Sequence, residues 1–299
     1  MDQKKKFWQS LNISPYFYIL PAFLSYFIFI LLPIFNNLRY SFTNWDGYSD
    51  QTFIGFRNYI ELLTKDKLIY IALYNNLKVM PFYTLGPIVL GLFLTALLTL
   101  YRVKGLTFFR VGLFIPYVMA GVTVGVVWKW IYHPVLGPIN QILRGIGLGF
   151  LAKPWLGNLN TVLPSIGIMA IWMHYGFAMV IFIAAAQRVD ESLYDAGKLD
   201  GANVFQLFRH VTLPSIRGEI MFVLVATTVS ALRLFDLTYI VSGGNGGPAN
   251  RTLVITLYII RSAFQQHRIG YASTIAVFQM IIIALISGGI FLLRRRVLK

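Results

Sequence analysis

"ESLYDAGKLDGANVFQLFRHVTLPSI", Glu191 to Ile216, is a mixed-charge stretch lying between two strongly apolar segments. Leu193, Ala196 and Leu199 repeat at helical spacing and Gly201 breaks the pattern. Asn203, with Gln206 three residues on, then matches a capping box opening a second short helix. Val204, Phe205, Phe208 and Val211 follow on adjoining turns, and this helix stops before Pro214, a residue suited to the first turn of the next one. The stretch therefore predicts two short amphipathic helices. Their apolar stripe must be covered, either by this chain's own helix ends or by a partner's groove.

The surroundings are those of a lipid-embedded chain. Of 299 residues, 57% are hydrophobic and 12% charged, with a mean hydropathy of +0.66, whereas soluble domains carry roughly 25% charged residues. A spanning helix needs about 20 apolar residues, and six segments qualify: 16–35, 79–101, 111–132, 163–186, 221–241 and 271–293. They are too long for barrel strands, so the expected fold class is an all-α membrane protein with six transmembrane helices.

The net charge of +15 is sorted by side rather than gathered into an aromatic-lined stripe, which argues against nucleic acid. With the amino terminus inside, segments 1–15, 102–110, 188–217 and 294–299 hold fourteen Lys/Arg, and the longer loops 41–76, 133–160 and 242–270 hold eight. That asymmetry predicts both termini in the cytoplasm. The domain organisation follows: a cytoplasmic segment 1–15, a six-helix domain 16–293 containing a cytoplasmic loop 188–217, and a basic cytoplasmic tail 294–299. The basic start resembles a signal peptide, but its apolar run is long and lacks a small-x-small cleavage pattern, so it reads as an uncleaved first helix.

Several chemistries are excluded. Without Cys there are no disulfides, thiolate zinc sites or cysteine nucleophiles. "AGKL" at Ala196 to Leu199 lacks the upstream Gly and the hydroxyl of a phosphate loop, and the Gly-rich "SGGNGGPAN" at Ser242 to Asn250 falls in an external loop. His133, His174, His210 and His267 are scattered, giving no metal site and no cofactor. Asp236 alone among the eleven acids lies well inside a span. It should share a helix face with Arg233 and pair with it structurally. Trp172, Tyr175 and Gln279, with Asp236, are the candidates for a polar, aromatic-walled path suited to sugar rings. An ion-coupled secondary carrier is the alternative; it would need inverted repeats, interrupted helices and several buried acids.

The hairpin resembles the signature EAA-x3-G-x9-I-x-LP of the membrane subunits of binding-protein-dependent ABC importers, with Asp195, Ala196, Gly197, Gly201, Val211, Leu213 and Pro214 at those spacings. The departures are Asp for Glu, Gly197 for the second Ala and Val for Ile. "SFTNWDGYSD", "FIGFRNYIEL", "FFRVGLFIPYV", "WKWIYHPVLGPIN", "FDLTYIVSGGNGGP" and "AFQQHRIGYAS" extend the likeness along nearly the whole chain, nearest to the sugar permease branch. The resemblance implies a type I importer permease fold and no catalytic centre. It also implies a heterodimer with a second permease, two ATPase subunits beneath, an external solute-binding protein that delivers sugar, and a prokaryotic cell membrane. In that family the hairpin is the coupling helix seated in the ATPase. Gly201 would give the sharp turn, Phe205 and Phe208 apolar anchors, and Leu213 and Pro214 the join to the fifth helix.

Overall fold

A computed structural model describes residues 14–100 and 105–297. Segment 1–13, the tip 101–104 and the last two residues of the basic tail lie outside the described residues. The described chain is mostly helical, with a two-stranded antiparallel ribbon, β1 (Thr43–Asn44) and β2 (Thr52–Phe53), after the first span.

That first span runs through α1 (Ser14–Tyr26), a π turn (Phe27–Leu31) and α2 (Leu32–Tyr40). None of its apolar window is buried, and its second half, α2, leans on the last helix, α15 (Ile269–Val297). After a short α3 (Arg57–Thr64), the second span is the 34-residue α4 (Lys67–Leu100), which begins twelve residues earlier than its apolar run. Asp66 caps its start by accepting from the Leu68 N–H at 2.8 Å. At about 1.5 Å per residue α4 is near 50 Å long, so it projects beyond the hydrocarbon.

The third span differs from the single helix expected over 111–132. α5 (Leu106–Val118) and α6 (Gly121–Ile131) meet at 94°. Pro116 removes a backbone donor near the end of α5, and Met119 and Ala120 are extended, with ψ of 139° and 136°. A short α7 (Pro138–Gly145) leads to α8 (Val162–Ala186), the most deeply buried span. The hairpin follows as α9 (Glu191–Leu199), α10 (Val204–Leu207), a π turn (Phe208–Thr212) and α11 (Leu213–Ser215). The fifth span is α12 (Arg217–Leu232) and α13 (Asp236–Ser242), separated at 233–235. A short α14 (Ile255–Ile260) and α15 complete the fold. Among the described residues, five helices are long and apolar enough to cross a membrane, or six when the bent pair counts as one span.

α4 and α8 form the central seam. In lipid there is little hydrophobic drive between helices, so close backbone approach matters. Gly91 allows it here: a Cβ at that position would sit 2.8 Å from Ala178 Cβ and 3.0 Å from the Met179 nitrogen. Phe182, Met179 and Ala178, all fully buried, fill one end of the seam, and Ile166, Met169 and Val79 fill the other.

Candidate functional site

Two regions answer to the sequence reading: the hairpin, and the interrupted middles of the third and fifth spans. In the hairpin, Asp190 caps α9 by accepting from the Ser192 N–H at 2.9 Å, and that bond holds its carboxyl below the ordinary range. Gly201 turns the chain with φ +77°, a conformation that costs other residues strain. The capping box is complete: the Gln206 N–H donates to Asn203 Oδ1 at 2.9 Å, and the Asn203 N–H to Gln206 Oε1 at 2.7 Å.

Leu207, absent from the sequence-based site, is the residue around which the hairpin closes. It is buried, and its Cδ2 lies 2.6 Å from where a Cβ on Gly197 would stand. The departure from Ala at Gly197 therefore makes room for Leu207, and that mismatch was the available signal. A bond of 2.9 Å between the Tyr194 and Thr212 hydroxyls joins the two limbs. In place of a second regular α-helix, the chain widens into the π turn over Phe208–Thr212 before Pro214 enters the first turn of α11.

The predicted coupling residues lie mostly on the outer surface. Asp195 and Ala196 are exposed, with Asp195 held by Lys198 Nζ at 2.8 Å. Phe205 is 69% exposed and Leu199 89%, while Phe208, Val211 and Leu213 are half-buried and Pro214 is exposed.

In the spans, the expected Arg233 to Asp236 pair does not form. α12 ends at Leu232, so the two residues do not share a helix face, and no ion pair links them among the described residues. Asp236 instead opens α13 as an exposed carboxylate packed against Gly121, where a Cβ would meet its Oδ2 at 2.6 Å. The breaks of the two spans thus meet, and α6 runs on against α13 through Gly125 and Ile240. Interrupted helices, reserved above for secondary carriers, occur here and do not discriminate.

Helix ends at a break leave carbonyls without partners, and two buried amides take them up. Asn76 Nδ2 donates to the Ala231 carbonyl at 3.0 Å and Gln279 Nε2 to the Leu232 carbonyl at 2.6 Å. Asn76 Oδ1 also accepts from the Ile255 N–H at 2.9 Å, and Gln279 reaches Thr256 Oγ1 at 2.8 Å, so both amides tie α12 to α14. Trp172 is half-buried and meets Trp128 edge-on at 5.9 Å. Tyr175 is buried on α8. No hydrogen bond, ion pair or ring contact connects Trp172, Tyr175, Asp236 and Gln279 to one another among the described residues. The sequence reading missed a nearby ring cluster in which His174 lies 5.1 Å from Tyr83 and 6.0 Å from Tyr117.

Residues 6–299 match the model of the family described as binding-protein-dependent transport system inner membrane component. The chain belongs to that family. It is a multi-pass membrane permease, a transport subunit rather than an enzyme, and the ion-coupled alternative finds no support. The chain is 35% identical over 274 residues to a probable ABC transporter permease, YurN, of Bacillus subtilis, covering 91% of this chain and 92% of that protein. It is 32% identical to the multiple sugar-binding transport system permease MsmF of Streptococcus mutans, with 91% of each covered. Diacetylchitobiose uptake permease NgcF of Streptomyces coelicolor is also 32% identical, covering 90% and 78%. Among solved structures, the fold matches a chain of a bacterial ABC transporter that imports the acidic polysaccharide alginate. The TM-score is 0.83 at 22% identity, over 98% of this chain and 100% of that one.

Proposed function

We propose that this chain forms half of the translocation path of an ATP-driven sugar importer, paired with a second permease, two ATPase subunits and an external solute-binding protein. The hairpin and both termini face the cytoplasm, as the distribution of Lys and Arg supports. The sugar class rests on relatives whose names specify diacetylchitobiose and multiple sugars.

The observation that carries the coupling role is the apolar ridge left on a braced hairpin, with Leu199 at 89% and Phe205 at 69% exposure. No described residue covers it, and the ridge seats in the ATPase, whose closure on ATP displaces α8 and α12 through the hairpin. Asp195, Ala196, Gly197 and Gly201 shape the contact; Phe205 and Phe208 anchor it; Val211, Leu213 and Pro214 lead into α12. In the path, Trp172, Tyr175, Asp236 and Gln279 serve the sugar. Asp236 and Trp172 are open to approach, and Gln279 acts by holding the broken end of α12.

Copurification with the ATPase and binding protein, followed by a survey of which sugars raise ATP turnover, tests the assembly. Gly201→Asp should abolish uptake and sugar-stimulated hydrolysis while the subunit stays in the membrane. No described residue lies within 4 Å of a Cβ at Gly201, so the added side chain meets a partner rather than a neighbour in this fold, on top of the local backbone strain that φ +77° imposes on any residue but glycine. Undiminished uptake would remove the coupling role.

A further inference from the structure

We propose that Arg188 and Glu219 form a clasp that fixes the stance of the hairpin on the spans, making both positioning residues for the transmission of movement. The inference rests on the hairpin being the element that receives the ATPase's displacement. Arg188 lies two residues past the end of α8, and Glu219 is the third residue of α12. Arg188 Nη2 donates to Glu219 Oε1 at 2.6 Å, joining two positions 31 residues apart and closing the chain across the hairpin's base.

The hairpin is stiff above that line. Its limbs are held by the Tyr194 to Thr212 bond, by Leu207 seated against Gly197 and by the capping box, so it can move as one piece. Whether the spans follow depends on the base. Ala185, Ala186 and Ile216 are buried there, with Val189 and Ile220 packed on them. Such an apolar joint has no preferred direction and allows sliding. The ion pair supplies the missing direction, because its geometry fixes the end of α8 relative to the start of α12. Each charge also suits its own helix end, with Arg after the carboxyl end of α8 and Glu in the first turn of α12, so the clasp couples two helix termini. The ion pair from Asp195 to Lys198 is internal to α9 and does not cross the base.

An exposed pair contributes little to overall stability, so its loss should appear in transmission rather than folding. The test uses the complete transporter in lipid vesicles with Arg188→Gln, Glu219→Gln, the double variant and Arg188→Lys. The readouts are sugar moved per ATP hydrolysed, ATPase copurification and thermal midpoint. Each glutamine variant should lower the sugar-to-ATP ratio by about two- to fivefold, the range open to an exposed ion pair, with copurification and midpoint unchanged. The double variant should be no worse than either single one, and Arg188→Lys should keep most of the ratio. Unchanged ratios in both single variants, or losses that add in the double, would overturn the clasp. Gly201→Asp separates the two readings. If it abolishes uptake while the clasp variants keep their ratio, only the clasp falls; full uptake with Gly201→Asp removes the hairpin role and the clasp with it.

Discussion

The α4–α8 seam and the 190–216 hairpin use glycine and leucine in opposite ways. In the seam, Gly91 brings two backbones together, and the large side chains around it, Phe182 and Met179, are sealed from every side. In the hairpin, Gly197 makes room for one inward leucine, Leu207, while Leu193, Leu199 and Phe205 stay outside. The seam is finished within this chain and the hairpin is not. Substitutions should therefore sort by location: those in the seam cost the subunit, and those on the hairpin cost its dealings with partners.

The largest effect expected is from Gly91→Val. Its Cβ would press on Ala178 and on the Met179 backbone nitrogen, and neither can swing away as a flexible side-chain tip could. Overpacking typically costs about 1–3 kcal/mol, and a branched residue against backbone should reach the upper end. The measurements are the amount of subunit in the membrane and its thermal midpoint in detergent. A normal amount with a normal midpoint would show that the seam is looser than its geometry.

Gly197→Ala should have a smaller effect, and it sharpens the contrast with Gly201→Asp. The alanine restores the family's residue at the second Ala position, yet its Cβ would lie 2.6 Å from Leu207 Cδ2. Leu207 can respond only by leaving its rotamer, at about 0.5–1.5 kcal/mol. Limited proteolysis of the isolated subunit should cut Gly197→Ala faster than the native chain within 190–216. Gly201→Asp strains only its own turn at φ +77° and meets no described atom, so it should be cut more slowly than Gly197→Ala. Faster cutting of Gly201→Asp than of Gly197→Ala would reverse the assignment of inner brace and outer contact.

The features legible in the sequence were those set by local periodicity and capping. The apolar runs marked the spans, and Asn203 with Gln206 marked the hairpin's second helix, because both signals lie within a few residues. The features missed depend on residues brought from afar. Pro116 is visible in "FFRVGLFIPYV", but the residue packed into the space that Gly121 leaves at the 94° bend is Asp236, 115 positions along the chain. Asn75 and Asn76 lie just before the apolar run 79–101 that marked the second span, yet α4 carries both. They are fully buried because the broken end of α12 and the loop before α14 supply their partners. Likewise, the i, i+3 spacing of Arg233 and Asp236 promises a shared face only while the helix continues, and it stops at Leu232.

The smallest effect concerns acid, at the end of the molecule away from the hairpin. Asp46 Oδ1 accepts from the Ser49 N–H at 2.8 Å, the Tyr48 N–H at 2.9 Å and the Ser49 hydroxyl at 2.8 Å, an Asx turn after β1. These donors, the Ser49 N–H foremost, favour the carboxylate and lower its pKa from 3.8 to about 2. A carboxyl depressed by folding holds the turn fully above its unfolded pKa and releases it as protons bind. The turn's contribution should thus be complete above pH 3.8, fade as the pH falls toward 2, and be gone below that. The carboxylate is fully solvated, so the loss is local: proteolytic nicking or amide exchange around 46–49 should rise over that interval while the seam keeps its protection. Asp46→Asn should start with a looser turn and show no such pH dependence. If the native turn loosens at or above pH 3.8 instead, its three donors do not hold the carboxylate in solution. The hairpin's cap at Asp190 is depressed in the same direction by the Ser192 N–H, so acid should loosen both ends of the molecule before it reaches the seam between them.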